Sequence, residues 1–196
     1  MIGLFGLYNT AAEAPVDAQG MIAQVGERAV NESWGERGCV LGRSSHSPKV
    51  AGGMAQSADG KIHVVVAGEI FNPEDFGLPD GKAADVLLAL YQSGALDRLR
   101  EANGQFCAAI DDRQAHRLTL ITDRFCLWPL HIWQDHEGFA FATQIYTLLG
   151  HPGVQRKANL RTFPQLLTMQ RTIGNSTPVE GVRALPAACI FTIDRE

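Results

Sequence analysis

The chain has 196 residues, the length of one ordinary domain, and we expect a single domain over residues 1–196. Hydrophobic residues make up 45% and charged residues 19%, a balance typical of a globular protein that buries a core without a metal or a disulfide. The net charge of −4 argues against a nucleic-acid partner, because sequence-independent binding to phosphates needs clustered positive charge.

No stretch has the pattern of a targeting or membrane segment. The first residues lack a basic region followed by a long apolar run, and no apolar stretch approaches the ~18 residues of a membrane span. The four cysteines, Cys39, Cys107, Cys126 and Cys189, include no C-x-x-C pair. We therefore expect a cytoplasmic protein with reduced cysteines in its core and no membrane partner.

Short apolar runs separated by turns dominate the N-terminal half. Met1–Tyr8 and the β-branched run Lys61–Phe71 are predicted strands. Because both runs are apolar and nearly continuous, we expect the strand at Gly3–Tyr8 to lie in the interior of a sheet, next to the strand at Ile62–Ile70. Ala18–Val30 is a predicted helix, and Lys82–Gln92 has apolar residues at helical spacing. Between the first helix and the second strand, Asn31–Gly60 is rich in glycine and serine and predicts short strands joined by turns.

The C-terminal half has the pattern of a strand meander with short helices. The predicted strands are Phe106–Ile110, Leu118–Ile121, Pro129–Trp133, Phe139–Ala142 and Ala187–Ile193. The predicted helices are Leu96–Ala102, Thr143–Leu149 and Leu160–Met169. Long helices do not alternate regularly with strands, so the pattern favours an α+β fold with mainly antiparallel sheets over a doubly wound parallel sheet.

General motifs of catalysis are absent from the sequence. There is no phosphate-binding glycine loop, no H-E-x-x-H and no G-x-S-x-G. His131 and His136 are five residues apart across a predicted strand end, a poor spacing for metal ligands, so we expect neither a metal nor another cofactor. Asp123-Arg124 follows a predicted strand and is interpreted as a structural ion pair more readily than as an active-site pair.

Four stretches in order resemble the N-terminal glutaminase domain of asparagine synthetases. Residues 2–6, IGLFG, are similar to the Cys-Gly-Ile-x-Gly start of that family, and residues 67–72, AGEIFN, to its Asn-Gly-Glu-Ile-Tyr-Asn motif. Residues 103–152 follow its pattern of a strand pair, an Asp-Arg turn and a closing His-Pro. Residues 177–194, TPVEGVRALPAACIFTID, match its final strand. The resemblance covers nearly the whole chain.

This resemblance implies a fold and a mechanism. The implied fold is a four-layer αββα sandwich of two mainly antiparallel sheets, as in hydrolases with an N-terminal nucleophile. In the family an N-terminal cysteine attacks the side-chain amide of glutamine, and its own α-amino group is the base. The asparagine and glycine of the Asn-Gly-Glu motif stabilise the oxyanion. An arginine of an Arg-Gly-Pro-Asp stretch and an aspartate hold the substrate's carboxylate and ammonium groups.

The sequence departs from this family at the residues that carry the chemistry. Ile2 stands where the family has the cysteine, and an alkyl side chain cannot attack an amide. Ala67 replaces the oxyanion asparagine, although Gly68 and Glu69 of the motif remain. Ala83 stands at the position of the ammonium-binding aspartate, with Asp85 two residues further on as a possible stand-in. These changes together predict that no catalytic residue is present.

The position of the carboxylate-binding arginine is open in the sequence. Residues 31–38 contain no Arg-Gly-Pro-Asp, and Arg28 and Arg37 are the two candidates nearby. With Ile2, Ala67 and Ala83 at its floor, the former substrate site is expected to be a smaller and more apolar cavity than that of a glutaminase.

The resemblance therefore implies a catalytically degenerate glutaminase-like domain. We expect it to act as a scaffold or docking domain for an ATP-dependent synthetase domain or subunit, as in β-lactam synthetases and lasso-peptide cyclases, which it resembles in its losses. A homodimer is a second possible assembly. Two other functions stay open: an active amidotransferase with an unrecognised nucleophile, and a binding module that uses the old pocket for a small molecule.

Overall fold

The chain forms two stacked antiparallel sheets. The computed structural model describes residues 3–9, 18–25, 30–36, 38–45, 52–136 and 138–194. The first sheet has the strand order β10-β8-β9-β1-β3-β2, and the second has the order β11-β7-β6-β5-β4. The strands are β1 (Gly3–Asn9), β2 (Val30–Glu36), β3 (Cys39–Ser45), β4 (Gly52–Gln56), β5 (Ile62–Ile70), β6 (Gly104–Asp112), β7 (Arg117–Thr122), β8 (His131–Gln134), β9 (Gly138–Ala142), β10 (Val182–Ala184) and β11 (Ile190–Asp194).

The described helices are short, and three of them cover the outer faces of the sheets. The helices are α1 (Gln19–Val25), α2 (Ala83–Gln92), α3 (Ile145–Leu148) and α4 (Phe163–Met169), with 3-10 turns at Pro73–Phe76, Leu96–Glu101 and Leu160–Thr162. α2 packs on the second sheet, and α1 and α3 pack on the first. The order helix, sheet, sheet, helix is the predicted αββα sandwich, and the prediction of an α+β fold is confirmed.

The side chains of β5 point alternately to the two faces of its sheet, so this one strand contributes to two layers of the core. Val65 and Ala67 face the first sheet and pack with residues such as Leu4 and Leu41. Val64 and Val66 face the opposite side and pack against α2. Successive side chains of a strand point to opposite faces, so a β-branched run that is apolar at every position is buried on both sides.

β1 lies in the interior of its sheet, as its continuous apolar sequence predicts. It pairs with β3 on one side and with β9 on the other. The expectation that β5 would be its neighbour in the same sheet is wrong. β5 belongs to the second sheet, and the two strands meet across the layer between the sheets, where Leu4 and Tyr8 pack in one cluster with Val65. Two buried strands can contact each other face to face as well as edge to edge.

Other sequence expectations hold with shifts of a few residues at the ends of elements. The region predicted to contain short strands forms β2, β3 and β4. The three-residue strand β10 and the 3-10 turn at Pro73–Phe76 were not predicted. None of the four cysteines forms a disulfide; Cys39 and Cys107 are buried, and Cys126 and Cys189 are half-buried. No helix among the described residues is long and apolar enough to cross a membrane.

Candidate functional site

A wide cleft opens beside the Gly-Glu-Ile motif. Its volume is about 1140 Å³, and its walls come from β2, β3, the start of β4, the end of β5 and the loop that leads into α2. The residues that line it include Arg43, Gly52, Gly68, Glu69, Lys82 and Ala83. Gly68, Glu69 and Ala83, three of the positions inferred from the sequence, are therefore brought together.

Two glycines in the left-handed half of the φ range form the back of the cleft. Gly68 has φ +104, and a Cβ there would meet the Gln105 carbonyl oxygen and stand 2.7 Å from Phe106 Cα. Gly52 pairs with Ala67 on the neighbouring strand and has φ +123. A Cβ on Gly52 would lie 2.8 Å from Arg43 Nη1 and 3.4 Å from the Gly68 nitrogen. Only glycine fits at positions 52 and 68. Because Gly52 has no side chain, the Arg43 guanidinium can approach the backbone of the Gly-Glu-Ile motif.

Arg43 is a cleft residue that sequence reasoning missed. It lies on β3 between Leu4 of β1 and Glu32 of β2, and it is only 5% exposed. Its Nε donates to Glu32 Oε2 at 2.9 Å, whereas its buried Nη1 has no hydrogen-bond partner among the described residues. An arginine has five N–H donors, so one carboxylate leaves most of them available. A buried guanidinium that lines a cleft with an unpaired donor is suited to bind a carboxylate or another anion.

The remaining sequence candidates lie in different places. Ala83 is buried at the start of α2 and lines the cleft. Ala67 is fully buried, but it packs between the two sheets and is not among the cleft-lining residues. Asp85 accepts a hydrogen bond from the Lys82 backbone nitrogen at 3.0 Å and so caps the first turn of α2. Ile2, Arg28 and Arg37 lie outside the described residues.

The cleft is lined by charges of both signs. Because Ile2 lies outside the described residues and Ala67 does not line this cleft, the expectation of a cavity smaller and more apolar than that of a glutaminase stays a prediction. The cations of the cleft are Arg43 and Lys82, and its acidic side chains are Glu32, Glu69, Glu74 and Asp80. Except for the buried Arg43, these side chains are exposed at the walls and mouth. Such a surface can hold a small molecule that carries a carboxylate at one end and an ammonium group nearby.

No described residue of the cleft is a thiol. Cys107 is buried in the core between the sheets, and Cys189 borders a separate cavity of about 270 Å³. Burial raises the pKa of the Cys107, Cys126 and Cys189 thiols. A raised pKa keeps a cysteine in the thiol form at neutral pH, and the thiolate is the nucleophile. The described cysteines therefore do not supply a nucleophile to the cleft.

Asp123 and Arg124 have structural contacts and do not form a pair with each other in the described contacts. The buried carboxylate of Asp123 accepts from the backbone nitrogens of Phe106, Phe125 and Leu127 at 3.2, 2.8 and 3.1 Å. The Arg124 side chain donates to the Arg100 carbonyl oxygen at 2.6 Å. Asp123 thus shapes the turn after β7, a role that the sequence interpretation as an ion pair did not describe.

Comparison with known proteins gives the family of this chain and agrees with its fold. The sequence model of the glutamine amidotransferase domain matches residues 1–196. The chain belongs to this family. Among curated proteins, the amidotransferase domain is 29% identical over 108 residues to glutamine-hydrolyzing asparagine synthetase 2 of Bacillus subtilis (strain 168). That match covers 52% of this chain and 14% of the relative, so the chain spans a small part of the relative's length.

Solved structures confirm the fold of this amidotransferase domain. Glutamine phosphoribosylpyrophosphate amidotransferase from B. subtilis, complexed with ADP and GMP, matches with a TM-score of 0.56 and 13% identity, over 74% of this chain and 42% of that one. A structure described as the allosteric regulatory enzyme of purine biosynthesis matches with a TM-score of 0.55 and 11% identity, over 76% and 43%. At these identities the likeness concerns the fold alone.

Proposed function

We propose that this amidotransferase domain does not hydrolyse glutamine and serves as a non-catalytic docking domain of an amide-forming enzyme related to asparagine synthetase. Its vestigial site positions are Ile2, Ala67 and Gly68 for the chemistry, and Gly68, Glu69 and Ala83 for substrate. Asp85, the earlier candidate for a stand-in, has its carboxylate at the helix cap. Arg43 is added to the substrate-binding positions on the basis of its place in the cleft.

The observation that carries the proposal is the residue at position 67. In the resembling family an asparagine amide at this position donates to the oxyanion, and here a methyl group is buried between the sheets at 0% exposure. Removing one such donor lowers the rate by about 10²–10³-fold. Ile2, at the position of the nucleophile, adds a loss that no binding contact can offset, because an isoleucine has no nucleophilic atom.

The proposed partner is an ATP-dependent synthetase domain or subunit. The support is that the chain matches asparagine synthetases over a fraction of their length, which leaves most of each relative to other parts of the protein. An enzyme whose amine comes from the second substrate does not need ammonia from glutamine. In such an enzyme the amidotransferase scaffold can persist for its packing surface after its chemistry is lost.

The test is release of glutamate from L-glutamine by the purified chain. We expect a rate equal to the buffer blank across neutral pH, with the chain folded as judged by its melting curve. The same assay tests the active-amidotransferase alternative, since turnover above the blank would require a nucleophile outside the family position. A cysteine-directed alkylating reagent that abolished such turnover would identify that nucleophile as a thiol and overturn the proposal.

A second function, binding of a small carboxylate in the cleft, is favoured by Arg43. Its buried Nη1 lacks an acceptor in the part of the chain that the structure describes, and a buried unpaired donor costs roughly 1–3 kcal/mol unless a ligand or water satisfies it. Isothermal titration with L-glutamine and L-glutamate tests this function directly. Arg43→Lys should abolish any heat of binding, and Glu180→Gln, far from the cleft lining, is the control. Binding that survived Arg43→Lys would place the ligand elsewhere.

A further inference from the structure

The segment around α4 presents an apolar surface to solvent. Leu160, Phe163 and Leu167 are 70%, 45% and 81% exposed, and Met169 and Ile173 are each about half exposed. These five account for half of the exposed large apolar side chains among the described residues. We call this set the α4 face. α4 itself buries none of its side chains.

The α4 face is held in place by contacts on its other side. Thr162, at the start of α4, is 1% exposed and donates through Oγ1 to the Asn159 carbonyl oxygen at 2.8 Å. Gln165 Oε1 accepts from the Ile173 nitrogen at 2.8 Å and closes the loop after the helix. An isolated bridge between Ser176 and Arg183 connects the segment to β10, at the edge of the first sheet. The exposed residues are therefore fixed relative to the sandwich.

A helix of this length needs a covering surface. Helices shorter than about 12–15 residues are marginal in water, and in proteins their stability comes mainly from packing of an apolar face. α4 has seven residues, and among the described residues none of its side chains is fully buried. Contiguous exposed apolar patches on soluble proteins mark interaction sites. A partner surface is the simplest source of the missing packing.

The charges around the α4 face indicate the chemistry of that partner. Residues 153–179 contain four of the chain's 17 cationic residues and none of its 21 acidic residues. Lys157 pairs with Glu180 at 2.8 Å, and Arg156 donates to the Leu149 carbonyl oxygen. Arg161 and Arg171 are exposed and have no ion pair with any described residue. A complementary surface would place carboxylates opposite these two guanidinium groups.

We propose that the α4 face docks the synthetase module of the same enzyme, through an apolar groove on that module rimmed by carboxylates. This inference rests on the proposed docking function and adds the surface that performs it. A symmetric contact between two copies would bring like-charged Arg161 and Arg171 clusters together, which opposes association. An anionic membrane is disfavoured by the net charge of −4 and by the shortness of the helix.

The test uses the chain and the synthetase module encoded with it or in the neighbouring gene, mixed as separate purified proteins. The Kd is measured by titration calorimetry for the unmodified chain, Leu167→Glu and Leu167→Met. Because Leu167 is the most exposed residue of the face, all three should have the same melting temperature. We expect Leu167→Glu to weaken binding by about tenfold or more and Leu167→Met to leave it nearly unchanged. The double change Arg161→Glu and Arg171→Glu should also weaken binding by about tenfold.

Four results would overturn the inference. A complex with the same Kd for Leu167→Glu would move docking to another surface while leaving the docking function intact. Absence of any complex would remove the docking function and this surface together. Binding to phosphatidylcholine–phosphatidylglycerol vesicles that Leu167→Glu abolishes, in place of the protein complex, would assign the face to lipid. Dimerisation in sedimentation runs that the same variant abolishes would assign it to a second copy. The glutamate-release assay is independent of all four results.

Discussion

Arg43 and Glu32 are cross-strand neighbours on β3 and β2, and their pairing joins a nearly buried cation to a half-exposed carboxylate. The Nε–Oε2 distance is 2.9 Å, and the two side chains are 6% and 49% exposed. The ion pair holds the Nε side of the guanidinium and leaves Nη1 beside Gly52 in the cleft. Glu32 thus positions the residue on which the proposed anion binding in the cleft depends.

Glu32→Ala should destabilise the fold more than the loss of an ordinary surface ion pair. It leaves a buried guanidinium without its acceptor, and we expect the free energy of unfolding to fall by about 1–3 kcal/mol. The measurement is urea unfolding at neutral pH. Glu180→Ala breaks the Lys157–Glu180 pair, whose side chains are both largely exposed, and should cost under about 1 kcal/mol. Equal losses in the two variants would show that Arg43 finds another acceptor.

Gly68→Ala should be among the most damaging single changes in the chain. The added Cβ meets the Gln105 carbonyl oxygen, and φ is +104. Backbone strain and overpacking together should lower the free energy of unfolding by about 3 kcal/mol or more. Gly94→Ala is the matched control, because Gly94 also has a positive φ (+69) but a Cβ there meets nothing within 4 Å. It should cost only about 1–2 kcal/mol. Similar losses would mean that β5 and β6 can separate locally.

His131 should make the fold sensitive to mild acid. Burial lowers the pKa of His131, and hydrogen bonds with backbone oxygens, including that of Thr143 at 3.2 Å from Nδ1, offset this only in part. The fold therefore favours the neutral ring. The neutral His131 ring contributes its full share to the free energy of unfolding above the unfolded pKa of about 6.5. That contribution is lost as the pH falls through the lower pKa of the folded state.

The variant that checks this is His131→Asn, which keeps a donor near Thr143 and cannot titrate in this range. Melting temperatures measured from neutral to mildly acidic pH should fall less steeply in the variant than in the unmodified chain. Some slope should remain, because burial also lowers the pKa of His151. Identical slopes would show that His131 is solvated as an imidazolium in the folded chain.

Strands and helices were predictable where the segment itself has the hydrophobic periodicity of its secondary structure. β5 is a β-branched run and α2 has apolar residues at helical spacing, so both appear in the sequence with bounds close to those observed. β10 has three residues and no periodicity of its own; it exists because Val182, Arg183 and Ala184 pair with β8. The prediction that β5 lies beside β1 was wrong because an apolar run shows only that a strand is buried. It does not show whether two buried strands are hydrogen-bonded in one sheet or packed face to face between two sheets.

The cleft was less predictable than the fold. Gly68, Glu69 and Ala83 were found through their neighbours in motifs, but Arg43 stands in a glycine- and serine-rich stretch without a recognisable motif. The available signal was an arginine inside the otherwise uncharged run CVLGRSS, since a charge inside a buried strand needs a partner or a ligand. Its burial depends on β3 lying between β1 and β2, which only the assembled sheet determines.

Restoration of the nucleophile alone should give little glutaminase activity. Ile2→Cys returns a thiol, and the smaller second residue favours removal of Met1 and exposure of the α-amine. It leaves Ala67 without a donor to the oxyanion and Ala83 without a carboxylate for the substrate's ammonium group. Each missing charge-assisted contact is worth about 1.5–3 kcal/mol, and about 1.4 kcal/mol corresponds to a tenfold change in rate. If the two losses add, the single variant should be slower than a complete site by several powers of ten.

The experiment that checks this compares glutamate release by the unmodified chain, Ile2→Cys, and the triple variant that adds Ala67→Asn and Ala83→Asp. We expect activity only in the triple variant. Because Ala67 packs between the sheets, its replacement by a polar amide should also lower stability, so each melting temperature is recorded beside the rate. A folded triple variant without activity would place the substrate-binding defect at a further residue, with Arg43 the first to examine. Strong activity in Ile2→Cys alone would show that Arg43 and the acidic wall around Glu69 already form a complete glutamine site, and that the degenerate interpretation applies to the nucleophile only.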